Sequence, residues 1–147
     1  MAPIIRKGTI EEVLIVHQQI SELNKPLNKT EITEKLFGNS DLILIAEFDK
    51  QLVGFKVGFA INATDFYSWI GGVVPKFRNR GIANKLRQYQ EQWAFKQGFT
   101  TVNVKSMNQF PAMMQMLIGG NYQISGYEDN GSLATNKILF TKQRPSD

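Results

Sequence analysis

Val73-Val74-Pro75-Lys76-Phe77-Arg78-Asn79-Arg80-Gly81-Ile82-Ala83 is the stretch that decides the fold. Two valines end an apolar strand. A proline, a short basic turn and a glycine follow, and helical spacing begins at once. Such a turn presents a helix N-terminus, whose first N–H groups lack partners and carry partial positive charge. Gly81 has no Cβ to keep a ligand from the backbone, and Arg78 and Arg80 are cations suited to phosphate oxygens. The junction invites a diphosphate.

Outward from this junction, Phe66 to Val74 reads as the strand that enters it. Two further strands precede it, Asp41 to Phe48 and Leu52 to Ile61, so the three form an antiparallel meander. Before them, Pro3 to Lys7 reads as a strand. Thr9 with Glu12 is a capping box for a helix reaching about Leu23, broken by Asn24-Lys25-Pro26. Thr30 is expected to cap a second, shorter helix that stops at Gly38-Asn39. After the junction a helix spans Ile82 to Gln97 and ends at Gly98. Ile82, Leu86, Tyr89-Gln90, Trp93 and Ala94 to Gln97 form its inner face, and Lys85, Arg87, Gln88, Glu91, Gln92 and Lys96 its outer one. Thr100 to Val104 is the next strand, which makes a βαβ crossover. A methionine-rich helix covers Pro111 to Ile118. Tyr122 to Glu128 and Leu133 to Thr141 pair through Asp129-Asn130-Gly131, and Lys142 to Asp147 is read as a loose tail.

At 147 residues the chain has the length of one domain, and its 42% hydrophobic content suffices for one core. It has no cysteine, which excludes disulfides, thiolate metal sites and a cysteine nucleophile. His17 alone makes no metal cluster, so no metal is expected. Neither a signal peptide nor a membrane-spanning run is read, so a soluble cytoplasmic protein is expected. The net charge of +4 suits a polyanionic cofactor or acidic substrate, and equally a solvated surface with a small positive excess. The basic residues of Lys76 to Arg80 sit at one helix start and form no stripe, so no nucleic acid is expected.

The order of elements and the motif Arg78-Asn79-Arg80-Gly81-Ile82-Ala83 after Val73-Val74-Pro75 resemble the GCN5-related N-acetyltransferase (GNAT) family. The likeness covers nearly the whole chain, read as one domain, 1–147. Asn108 to Tyr122 with Gln123-Ile124-Ser125-Gly126 resembles the family's next helix and strand. The resemblance implies an α+β fold in α/β/α layers. Its mixed, mostly antiparallel sheet would have about seven strands, with about four helices and a splayed strand pair at the cofactor cleft. It implies an N-acyltransferase that passes acetyl from acetyl-CoA, or another acyl-CoA, to a primary amine of a small molecule or protein. A CoA-binding regulatory module without turnover is the alternative.

By matching positions, the backbone amides of Arg80, Gly81, Ile82 and Ala83 would hold the diphosphate, with Arg78 and Asn79 at the start of the turn. Arg78 also has a structural reading. Val73 and Val74 would offer strand-edge groups to the pantetheine arm. Asn108 matches an asparagine near the cofactor and reads equally as a helix cap. Family members often dimerise, so a homodimer is admitted, although no residue decides it. The family's helical tyrosine, which protonates the departing thiolate, has no counterpart: its region is Met116-Leu117-Ile118.

The catalytic residues stay unassigned. Glu47, Asp65 and Glu128 are candidate bases that read as well as solvated or capping carboxylates. His17 reads as a satisfied imidazole. Trp69 lines an acceptor pocket or packs in the core. Gly71-Gly72 marks a bulge or a close ligand approach, where the acyl thioester would lie in the family. Met107, Met113, Met114 and Met116 read chiefly as core.

Overall fold

The structure is a computed structural model and describes residues 2–23 and 25–146. Its strands are β1 (Ile4–Lys7), β2 (Asp41–Phe48), β3 (Gln51–Ala60), β4 (Asp65–Val73), β5 (Thr101–Met107), β6 (Gln123–Glu128) and β7 (Lys137–Gln143). Its α-helices are α1 (Ile10–His17), α2 (Lys29–Leu36), α3 (Ile82–Lys96) and α4 (Pro111–Gly119). The strands form one sheet in the order β1-β2-β3-β4-β5-β7-β6. Among the described residues only β4 and β5 run parallel, joined by α3 as the crossover.

The faces follow from strand alternation. A Cβ on Gly54 would meet Ile82 and Leu86 of α3, whereas one on Gly72, which pairs with Phe55, would meet Ile20 and Leu23. The segment after α1 and α3 therefore cover opposite faces, and α4 lies beside α3, where Arg87 touches Gly120. Val13, Val16, Ile32, Ile45, Phe55 and Val57 are fully buried under the first layer. Under the second, Gly58 lets α3 come close, because an added Cβ would stand 2.5 Å from Phe66 and 2.8 Å from Gln90.

Several local expectations change. The capping box of Thr9 and Glu12 forms, but α1 stops at His17 and turns with three-residue spacing follow it. Those turns swing Ile20 and Leu23 over Gly72, which a continued helix would not do. The expected break at Asn24 lies outside the described residues. Asn28, not Thr30, caps α2, its side chain accepting the Glu31 N–H at 2.9 Å. The final hairpin has a loop of residues 129–136. There the Asn136 side chain accepts the Asn130 N–H at 2.6 Å and donates to the Tyr127 hydroxyl at 2.7 Å. β7 therefore starts late and takes in Lys142 and Gln143, assigned above to a loose tail. Asp147 lies outside the described residues.

The largest correction is on α3. Arg87 and Glu91, placed on its outer face, are buried at 7% and 5% exposure. β7 and Tyr122 cover that flank, and a helix read alone cannot show a second covering layer.

Candidate active site

β4 and β5 pair only from Asp65–Thr101 to Ser68–Val104. Beyond Ser68 the ladder ends while β4 continues to Val73, so the two strands splay. The divergence coincides with a bulge: Val57 pairs with Ile70 and Gly58 with Ser68, which leaves Trp69 as the extra residue. The gap opens a cleft of about 600 Å³ lined by Gly71, Gly72 and Val73 of β4, the loop of Arg78, Asn79 and Gly81, the start of α3, and Gln109 to Met113 with Met116.

One end of the cleft is the Arg78–Ala83 turn. Asn79 and Gly81 both take positive φ, 62° and 77°. Left-handed residues set among right-handed ones are a backbone feature of anion-binding nests. Gly81 is the N-cap of α3 and has no side chain to satisfy the orphan donors. No other atom lies within 4 Å of a Cβ built there, so the backbone angle, not crowding, calls for glycine. Among the described residues, the N–H groups of residues 79 to 84 donate to no backbone or side-chain acceptor.

The two arginines are already engaged. Arg78 donates through Nε to the Val73 carbonyl at 3.2 Å and pairs with Glu22. That pair holds the Glu22 carboxyl below its usual range. Arg80 stacks on Phe77 and Phe48, 5.3 and 5.5 Å from their ring centroids, and does not line the cleft. Val74 donates its N–H to the Val53 carbonyl at 2.9 Å, so that group is spent inside the sheet. By alternation, Val73 and Gly71 turn their backbone groups toward the gap. Ile82 is buried, and it lines the cleft together with Ala83.

Asn108 donates its side-chain amide to the Leu133 carbonyl at 3.0 Å, and the cleft is lined by Gln109 and Phe110 instead. It does not cap α4 either: the N-cap is Phe110, followed by Pro111 at N1. The candidate carboxylates also lie elsewhere. Glu47 pairs with Arg6 at 2.6 Å, Asp65 accepts from Thr101 at 2.7 Å, and Glu128 accepts from Lys105 at 3.1 Å. His17 packs edge-on against Phe55, and burial lowers its pKa. Trp69 is half-buried beside Phe59, under the Lys35 ammonium at 5.5 Å. Met113 and Met116 line the cleft, while Met113 and Met114 pack against the core.

Two charged lining residues escaped the sequence reading. Glu22 is the one carboxylate among them, and nothing in the sequence announces a contact 56 residues away. Lys56 left a signal: it is the single charge inside an apolar strand and alternates with Gly54 and Gly58. Those glycines put it on the α3 face, where it is 7% exposed. Behind it lies a buried ionic layer. Glu91 takes Arg87 on one oxygen at 2.6 Å and Lys142 on the other at 2.7 Å, and it accepts the Tyr122 hydroxyl at 3.0 Å. Burial, with Glu91 adding to it, raises the Tyr122 pKa strongly, so this hydroxyl keeps its proton.

Comparison with known proteins agrees with this architecture. Residues 13–114 match the model of the acetyltransferase (GNAT) family. The whole chain superposes on Ard1 from Thermoplasma volcanium with a TM-score of 0.84 at 16% identity, covering 99% of this chain and 100% of that one. It superposes on the ribosomal-protein-S18-alanine N-acetyltransferase from Escherichia coli with a TM-score of 0.83 at 11% identity, covering 97% and 94%. A GNAT family acetyltransferase from Elizabethkingia anophelis, solved with acetyl-CoA bound, gives a TM-score of 0.73 at 15% identity over 97% and 98%. With its glycine-capped α3 following a strand that leaves its neighbour, the chain belongs to the GNAT family of acetyltransferases.

Proposed function

We propose that the protein transfers an acyl group, acetyl in the first instance, from acyl-CoA to a primary amine of a small molecule or peptide. Attack would be direct, with both substrates bound. The observation that carries this reading is a splayed strand edge running into a nest of partnerless N–H groups at the α3 N-terminus. A diphosphate fits the nest, and a pantetheine arm fits beside Gly71 and Val73, whose backbone groups face the gap. The amides of Arg80, Gly81, Ile82 and Ala83 would hold the diphosphate, with Asn79 shaping the turn. Arg78 would exchange Glu22 for a phosphate oxygen. The Elizabethkingia relative with acetyl-CoA supports the choice of cofactor. Transfer then draws on positioning and on backbone donors at the strand edge.

The test is calorimetric titration of acetyl-CoA and of CoA, followed by an assay of thiol release. Micromolar or tighter binding, with thiol released only when an amine is added, is expected. Failure to bind either nucleotide would overturn the reading. One observation favours a CoA-binding module without turnover: α4 offers the cleft Met113 and Met116 and no titratable side chain. Tight binding without thiol release across a panel of amines would select that reading.

A further inference from the structure

We propose that Lys56 faces the sulfur of the acyl thioester and protonates the thiolate as it leaves. This rests on the acyl-CoA reading above and adds the proton donor that α4 does not supply.

The placement is geometric. Lys56 pairs with Gly71 across β3 and β4, and a Cβ on Gly71 would stand 3.3 Å from Lys56 Cγ. The lysine stem thus packs over β4 at a residue without a side chain, just past the bulge and beside the stretch that β5 has left. Any residue other than glycine at 71 would crowd that stem. Lys56 also lines the cleft.

Charge accounting points the same way. Among the described residues Glu91 is the one buried carboxylate, set against two buried cations, Lys56 and Arg87, and the half-buried Lys142. Both oxygens of Glu91 are taken by Arg87 and Lys142. Among the described residues no carboxylate lies within ion-pair distance of Lys56. A buried ammonium without an anion is costly, and one kept at the wall of a substrate cleft has a use for an anion. Other polar atoms of this layer also lack protein partners: both amide atoms of Gln90 and the hydroxyl of Ser106.

The groups that face Lys56 are Arg87 and Glu91 from α3, with Lys142 of β7 and Tyr122 behind them; Ser68 and Ser106 on the same face do not titrate. Burial pulls the Lys56 pKa down to about 8, Glu91 opposes the shift and Arg87 adds to it. A free cysteine thiol ionises at about 8.5 and a plain alkyl thiol higher still, so the proton passes from Lys56 to the leaving thiolate without an uphill step.

The step balances. The amine nitrogen bonds to the carbonyl carbon, and the carbon–sulfur bond breaks with its electron pair left on sulfur. Lys56 Nζ gives that sulfur one proton. The amine gives one proton to water, and solvent returns one to Lys56. The products are an amide and a thiol.

The experiment is a pH titration of protein-bound CoA, followed by ultraviolet absorbance of the thiolate with S-methyl-CoA as blank. Wild type, Lys56→Met and Lys56→Arg are compared. In wild type the bound thiol is expected to ionise about one pH unit below free CoA, a tenfold change in its ionisation constant. Lys56→Met should return it to the free value or above, with acetyl-CoA affinity unchanged. Lys56→Arg should keep the lowered ionisation, because its cation persists, yet lose about a hundredfold in amine-dependent thiol release, because it holds its proton. Unaltered thiol ionisation in a Lys56→Met protein that binds CoA would overturn the proposal while leaving the acyl-CoA reading intact. Wild type that binds no CoA would overturn both. Acetylation of Lys56 itself, seen by mass spectrometry, would make it an acyl acceptor and sink its role as donor. A Lys56→Met loss confined to succinyl-CoA affinity would mean that it reads an acyl carboxylate.

Discussion

At the scale of single residues, Gly81 and Lys56 do opposite things to the same cleft. Gly81 serves through backbone angle: its φ of 77° aims the first helical amides, and space around its Cα is open. Gly81→Asp should therefore fold normally, since aspartate tolerates left-handed φ, but put a negative charge where the diphosphate sits. We expect circular dichroism to be unchanged and calorimetric CoA binding to vanish; wild-type affinity in this variant would move the site elsewhere. Lys56 costs stability where it stands. Its folded pKa, about 8, lies below the ordinary 10.5, so the unfolded chain binds the extra proton between those values. Wild-type stability should then rise as pH climbs from about 8 to 10.5, and Lys56→Met should melt higher at pH 7 and lose that slope. A lower melting temperature for Lys56→Met would contradict this account. A variant both more stable and less active is the usual sign of a residue kept for function.

At the scale of elements, two ion networks behave differently. Arg6 joins β1 to α1 and β2 by bonding Glu12 at 2.5 Å and Glu47 at 2.6 Å. The hydrogen bonds from Arg6 hold Glu12 at a pKa of about 2, against an ordinary 4.5. The stability it contributes is present above about pH 4.5 and fades as pH falls toward 2, and Glu12→Gln should flatten that acid limb in urea melts. Arg6 and Glu12 are partly exposed, so screening keeps the contribution small. The Arg87–Glu91–Lys142 network is buried between α3 and β7, with Glu91 and Arg87 side chains at 7% and 8% exposure. Glu91→Gln leaves the buried Arg87 and the half-buried Lys142 without their carboxylate and should cost about 3–5 kcal/mol in chemical denaturation. A loss below about 1 kcal/mol would mean that solvent reaches this layer.

At the scale of the whole molecule, the sheet is two parts held by a short parallel ladder, Asp65–Ser68 against Thr101–Val104. A ligand lying along Gly71 and Val73 would complete what β5 leaves undone. CoA at a hundred times its dissociation constant should add about 2.7 kcal/mol of stability, and should slow exchange of the Gly71 and Val73 amides more than that of β1. Equal slowing everywhere would argue against a ligand in the gap. Much of this architecture is legible in the chain itself. The apolar runs, the Thr9–Glu12 box and the Arg78–Ala83 turn are local patterns, and hydrogen-bond periodicity turns them directly into strands, a cap and a helix start. The same locality explains the misses. Asn28 outcompeted Thr30 as a cap within a few residues, and the loop of residues 129–136 follows side-chain bonds of Asn136 that no dipeptide signal encodes. By itself the sequence determined the order of elements, the glycine-capped helix and the family they belong to. Only the tertiary structure decided that Arg87 and Glu91 are buried, that Arg78 is held by Glu22, that Val74 is spent on β3, and that Lys56 stands in the cleft without an anion. Burial and charge pairing are properties of surfaces brought together from distant segments, and one-dimensional periodicity records only which side of an element a residue is on.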